Sequence, residues 1–268
     1  MTMPIHITDP ADPRLDDFRD LTTADRRPDR PGGRGLVIAE GTVVVRRLIA
    51  SAYPVRALLG VRGRFDELAP DLSDLEAPFY VASADLMARV VGFHLNRGVL
   101  ATADRIAFPP TAQLLDSVRS VAVLEGVGDH ENLGSIFRNA AALGIGAVLL
   151  GEGCADPLYR RSVRVSMGTV LLVPFAGLSG SWPAPAELLR SKGFTVTALT
   201  PKPSAVTLRQ AGLAGRKVAV LLGSEGPGLT DAALESADLQ VRIPMAPGVD
   251  SLNVATAGAI AFAEIATG

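Results

Sequence analysis

The stretch "SVAVLEGVGDHENLGSIFRNAAAL", Ser120 to Leu143, decides the fold. Its first eight residues form a valine-rich apolar run that predicts a buried strand. From Asn132 on, apolar residues recur at helical spacing, so the piece reads strand, glycine-bearing loop, helix. The same grammar continues on both sides. Downstream come a strand at "GAVLLG", a short helical turn, a strand at "TVLLVPF", a helix at "PAELLRSK", strands at "FTVTALT" and "KVAVLLG", a helix at "TDAALESA" and a long terminal helix. Unbroken apolar strands separated by helices imply an α/β fold, a mainly parallel sheet covered on both faces, with ligands at the carboxyl ends of its strands. Three loops lie there: "EGVGDHENLG", "GSEGPGL" and "IPMAPGVDSLN".

Upstream the alternation is shorter. "LVIAEG", "VRALLGV", "APFYVAS" and "GVLATAD" read as strands, with helices at "TVVVRRLIASA" and "ADLMARVVG", giving a small α/β domain over 35–104. The double proline of "FPPTAQ" marks a linker over 105–119, and the second domain runs from 120 to 268. The charged, Pro/Gly-rich residues 1–34, including "RRPDRPGGR", predict a flexible lead-in.

With 268 residues, 48% of them hydrophobic and 20% charged, the chain has ample material for a core. The terminal apolar segment is too short, and too interrupted by Glu264, to span a bilayer. The start lacks the basic-then-apolar pattern of a secretory signal, so a cytoplasmic location is expected. Cys154 is the lone cysteine, and His6, His94 and His130 are widely separated, so no metal site is expected. A net charge of −2 argues against nucleic-acid binding by the whole surface, but the cations are mostly arginine and clustered.

Residues Gly126 to Glu131, "GVGDHE", come close to the dinucleotide-binding G-x-G-x-x-G, yet Glu131 replaces the third glycine and would repel a pyrophosphate at the helix N-terminus. "LLGSEGPGLT" is different: Gly223, Gly226 and Gly228 permit close backbone approach around Glu225, a loop fit to wrap a compact ligand. Ser251 and Asn253, two residues apart at the mouth of the terminal helix, suit capping and ligand binding alike.

In order and spacing, "NLGSIFRNAAALG", "LLGSEGPGL" and "IPMAPGVDSLNVATAGAIA" resemble the three motifs of the SpoU/TrmH family of RNA ribose 2′-O-methyltransferases, within the SPOUT superfamily. "RVSMGT" is similar to the family's inter-motif segment, and "AEGTVVVRRLI" and "HLNRGVLA" resemble parts of the small RNA-binding domain many members carry. The resemblance implies a trefoil knot closed by the last loop and helix, S-adenosylmethionine held among the three loops, and a homodimer acting on RNA, ribosomal RNA or, alternatively, tRNA.

It also implies residue roles. Arg138 would engage the ribose hydroxyl, and since guanidinium stays protonated its part is orientation and charge stabilisation. Asn132, Glu225, Ser251 and Asn253 would complete the catalytic set. Leu222, Gly223, Ser224, Gly228, Ile243, Met245, Ser251 and Leu252 would hold the cofactor. Arg46, Arg47, Arg62 and Arg64 are the expected RNA contacts of the first domain. Asn139 departs from the threonine that relatives often carry after the arginine. An RNA-binding protein without turnover and a nucleotide-dependent oxidoreductase are the competing readings.

Overall fold

A computed structural model describes residues 3–21 and 35–266. It divides into two compact units, Met1–Ile106 with Leu158–Leu172, and Ala107–Pro157 with Val173–Gly268.

The first unit contains β1 (Pro4–His6), β2 (Val37–Glu40), α1 (Thr42–Ile49), β3 (Val55–Gly60), α2 (Arg62–Leu68), β4 (Phe79–Val81), α3 (Ala84–Val91) and β5 (Val99–Ala103). Its sheet has the order β1-β4-β3-β5-β2, with β5 antiparallel to both neighbours. Val44, Val45 and Leu48 turn one stripe of α1 inward. Ser83 caps α3 by accepting from the Leu86 amide, and Gly92 ends it with a left-handed residue.

One expectation changes here. The lead-in is partly built into the fold: Ile5 pairs with Tyr80, and Leu15 and Phe18 are fully buried. The apolar residues scattered among its charges supply that anchoring. "RRPDRPGGR" lies outside the described residues. Arg62 and Arg64 follow β3 and sit on α2.

The second unit begins with α4 (Thr111–Asp116), inside the stretch read as linker. Pro110 sets the entry, and Leu114 and Leu115 are buried in this unit's core. Then come β6 (Ser120–Leu124), α5 (His130–Ala142) and β7 (Ala147–Leu150). The helix α6 (Arg160–Val165) groups with the first unit.

Most of "TVLLVPF" is not strand. Met167 and Gly168 take positive φ, and Thr169–Leu171 forms a 3-10 turn with Val170 and Leu171 buried. A side chain at Gly168 would crowd Val44 of α1, within 3.1 Å of its Cγ1. Only Phe175–Gly177 is strand, as β8.

There follow α7 (Ala184–Ser191), β9 (Thr195–Leu199), β10 (Val206–Thr207), β11 (Val218–Leu222), α8 (Asp231–Glu235), β12 (Leu239–Arg242) and α9 (Val254–Ala266). The sheet order is β10-β12-β9-β11-β6-β7-β8, parallel throughout. Leu189, Leu229 and Leu234 pack with Val121, Val123, Ala219 and Leu221 on one face. On the other, α9 lies over β11 and α5, where Gly258 leaves room for Leu222. Among the described residues, no helix is long and apolar enough to cross a membrane.

Candidate active site

Three loops at the carboxyl ends of β6, β11 and β12 meet in the second unit. Asp129 caps α5, its carboxylate accepting from the amides of Glu131 and Asn132 at 2.9 Å each. That cap occupies the amides a pyrophosphate would need, a second physical reason against the dinucleotide reading.

The β11 loop closes on itself. Ser224 and Gly228 form an isolated bridge, with the Gly228 amide donating to the Ser224 carbonyl at 3.1 Å. Gly223 has no room for a side chain: a Cβ there would stand 2.2 Å from the backbone of Gly228 and Leu229. Behind the loop, Glu125 accepts from Trp182 Nε1 (2.8 Å), the Thr230 amide (2.8 Å) and Thr230 Oγ1 (3.0 Å), fixing the start of α8.

Asn253 does both jobs that its position allows. Its Oδ1 caps α9, accepting from the amides of Ala255 (3.0 Å) and Thr256 (3.1 Å). Its Nδ2 donates to Asn132 Oδ1 at 2.7 Å and to Glu225 Oε1 at 3.1 Å, while Asn132 Nδ2 donates to the same Glu225 oxygen at 2.8 Å. One residue from each loop thus enters a closed triangle. Asn139, further along α5, donates to the Ala255 carbonyl at 2.9 Å and ties the two helices together.

Beside the triangle lies a cavity of about 500 Å³. Leu222, Gly223, Ser224, Gly228, Ile243, Met245, Ser251 and Leu252 all line it, as do Glu225 and Asn253. Sequence reasoning missed Thr200, Pro201 and Lys202, which line it from the end of β9. The available signal was that β9 is itself a parallel strand ending on the ligand side. Arg138 stands apart: it is exposed, does not line the cavity and has no hydrogen bond or ion pair among the described residues. Six residues beyond Asn132, it lies about 9 Å along the helix and about 120° around it.

In the first unit, the four arginines expected to contact RNA are engaged within the protein. Arg46 pairs with Asp71 at 2.9 Å, and Arg47 donates to the Met167 carbonyl at 2.6 Å. Arg62 pairs with Asp66 (2.9 Å) and Arg64 with Glu67 (2.5 Å).

A family model described as the SpoU rRNA Methylase family matches residues 119–263, more than half of the chain and all three loops. The chain belongs to the SpoU rRNA methylase family. Among similar sequences, an uncharacterized tRNA/rRNA methyltransferase of Mycobacterium tuberculosis is 58% identical, over 96% of this chain and 90% of its own. The 23S rRNA (guanosine(2553)-2′-O)-methyltransferase of Bacillus subtilis is 31% identical, over 70% of this chain and 73% of its own. The fold of this SpoU family member is also that of an AdoMet-bound rRNA methyltransferase from Sinorhizobium meliloti, with a TM-score of 0.79 at 24% identity, covering 97% of each chain.

Proposed function

We propose that this SpoU family enzyme transfers a methyl group from S-adenosylmethionine to a ribose 2′-hydroxyl of RNA. The observation that carries the reading is the triangle of Asn132, Glu225 and Asn253 on the lip of the cavity. The cavity fits such a cofactor: its volume falls in the range of small-molecule sites, its wall is apolar at Leu222, Ile243, Met245 and Leu252, and Gly223 permits contact with bare backbone. When bound, S-adenosylmethionine supplies a methyl already activated by its sulfonium.

The protein's task is then to position the hydroxyl and manage its proton. Asn132 and Asn253 both occupy Glu225 Oε1, which leaves Oε2 without a partner among the described residues. This is an acceptor of fixed direction for the ribose hydroxyl. Arg138, exposed on α5 with its fork free, serves to orient the RNA. Ser251 lines the cavity within two residues of Asn253 and serves as a further polar contact.

Ribosomal RNA is favoured over tRNA by the names of the relatives. The enzyme is proposed to work in the cytoplasm as a homodimer through its second unit, where Val249, Leu252 and Ile260 expose apolar surface. The trefoil knot belongs to the same proposal, supported by family membership. Tritiated S-adenosylmethionine incubated with unmodified 23S rRNA and tRNA, followed by alkaline digestion, tests the function. Alkali-resistant dinucleotides carrying label are expected, and their absence from both RNAs overturns it.

A further inference from the structure

The first unit holds a second group of arginines that the protein leaves without anionic partners. Arg160, the first residue of α6, lies 5.0 Å over the Phe93 ring. It is half-buried, yet among the described residues its guanidinium has no hydrogen bond or ion pair. Burial pushes its pKa below the ordinary arginine range, and Glu40 only partly offsets that. Arg164, one turn further along α6, is exposed and likewise unpaired among the described residues. Arg97 reaches the same place from the loop before β5, where its guanidinium makes a long 3.4 Å contact with the Glu40 carbonyl.

Arg160 therefore lies near the Glu40 carboxylate, which is 9% exposed, with the like charge of Arg164 close enough to act on it and Arg97 on the Glu40 carbonyl. Arg46, Arg62 and Arg64 present the opposite case, since each is already paired with a carboxylate. Desolvating a guanidinium without satisfying its donors costs free energy, and an arriving phosphate oxygen recovers that cost with charge-assisted bonds. The cation–π contact with Phe93 favours this placement of the Arg160 side chain, so less rotamer entropy is lost when an anion binds.

We propose that Arg160, Arg164 and Arg97, organised by Phe93, form the phosphate-binding site through which the first unit holds the RNA backbone. The proposal rests on the RNA methyltransferase reading and moves its docking surface away from α1 and α2.

The test uses the full chain, with unmodified 23S rRNA transcript and polyuridylate as probes in filter binding across potassium chloride concentrations. The variants are Arg160→Ala, Arg164→Ala, the pair together, and Arg46→Ala as a control; thermal unfolding and calorimetric binding of S-adenosylmethionine are measured in parallel. Each of the first two variants is expected to weaken RNA binding about tenfold and to flatten the logarithmic salt slope by about one unit, the pair doing more, with cofactor binding unchanged. Arg46→Ala is expected to leave the slope as it was. Because Arg164 is exposed, its variant stays informative even if loss of Arg160 harms folding. Wild-type affinity and slope in folded Arg164→Ala and double variants overturn the site while leaving the enzymatic reading intact. Polyglutamate displacing RNA as well as polyuridylate does at equal charge also overturns it, since the cluster is then a general anion patch. A wild-type protein that binds neither RNA and transfers no methyl overturns the enzymatic reading, and this proposal with it.

Discussion

Asn253 Nδ2 stands 2.7 Å from Asn132 Oδ1, and this contact joins the start of α9 to the start of α5 through side chains whose remaining atoms are also committed. Cap and site share one carboxamide, so substitution can separate them. Asn253→Ala is expected to lose about 1 kcal/mol of stability with the cap and, in addition, most of the methyl transfer. Asn253→Asp retains a cap acceptor but donates nothing and sets a carboxylate against Glu225. Near-normal melting with transfer reduced on the order of a hundredfold is expected. Equal activity in the Asp variant and the wild type would show that the triangle is only structural.

Gly223→Ala forces a Cβ into the backbone of Gly228 and Leu229, neither of which can move without opening the loop. Calorimetry is expected to show loss of S-adenosylmethionine binding, with the rest of the second unit still folded by circular dichroism. Undiminished binding would remove this loop from the cofactor site.

Arg138 is exposed and makes no hydrogen bond or ion pair among the described residues, so Arg138→Ala should change stability by less than about 0.5 kcal/mol. Cofactor binding should persist while transfer to RNA is lost, and Arg138→Lys should restore little because an ammonium lacks the fork. Substantial activity in the alanine variant would make Arg138 a bystander.

How much of this was legible beforehand differs by region. The parallel strands β6, β7, β9 and β11 announced themselves as unbroken apolar runs, because both of their faces are covered. β12 did not: "LQVR" has only two apolar residues, as suits a strand near the sheet's edge, and β10 is two residues long. Within the site, Asn132, Glu225 and Asn253 were readable as polar residues at loop-to-helix junctions, but their mutual bonds span 28, 93 and 121 positions in sequence. Two of the four engaged arginines, Arg46 and Arg47, were misleading for a related reason. Arg46 finds Asp71 at a separation of 25 residues and Arg47 finds Met167 at 120, and no local pattern reveals either partner.

Arg47→Ala should therefore act on stability. It removes a 2.6 Å bond to a carbonyl beside a positive-φ residue, and a loss of about 1 kcal/mol in denaturant unfolding is expected, with little change in the salt dependence of RNA binding. A flattened slope without a stability change would return this arginine to the RNA surface.

Cys154 donates to the Leu124 carbonyl at 3.4 Å, and burial pushes its thiol above the usual range. Iodoacetamide near pH 8 is expected to leave it unmodified in the native protein and to alkylate it in guanidinium chloride. Rapid alkylation of the native form would contradict the burial.

Because Leu158–Leu172 groups with the first unit, the backbone passes between units after Ile106, after Pro157 and after Leu172. A gene fragment starting near codon 105 would carry Val163, Val170 and Leu171, all buried in the whole protein, without the strands and helices that cover them. Exchange of the first unit between relatives thus demands three simultaneous crossovers, so recombination inherits both units together more readily than it shuffles either one.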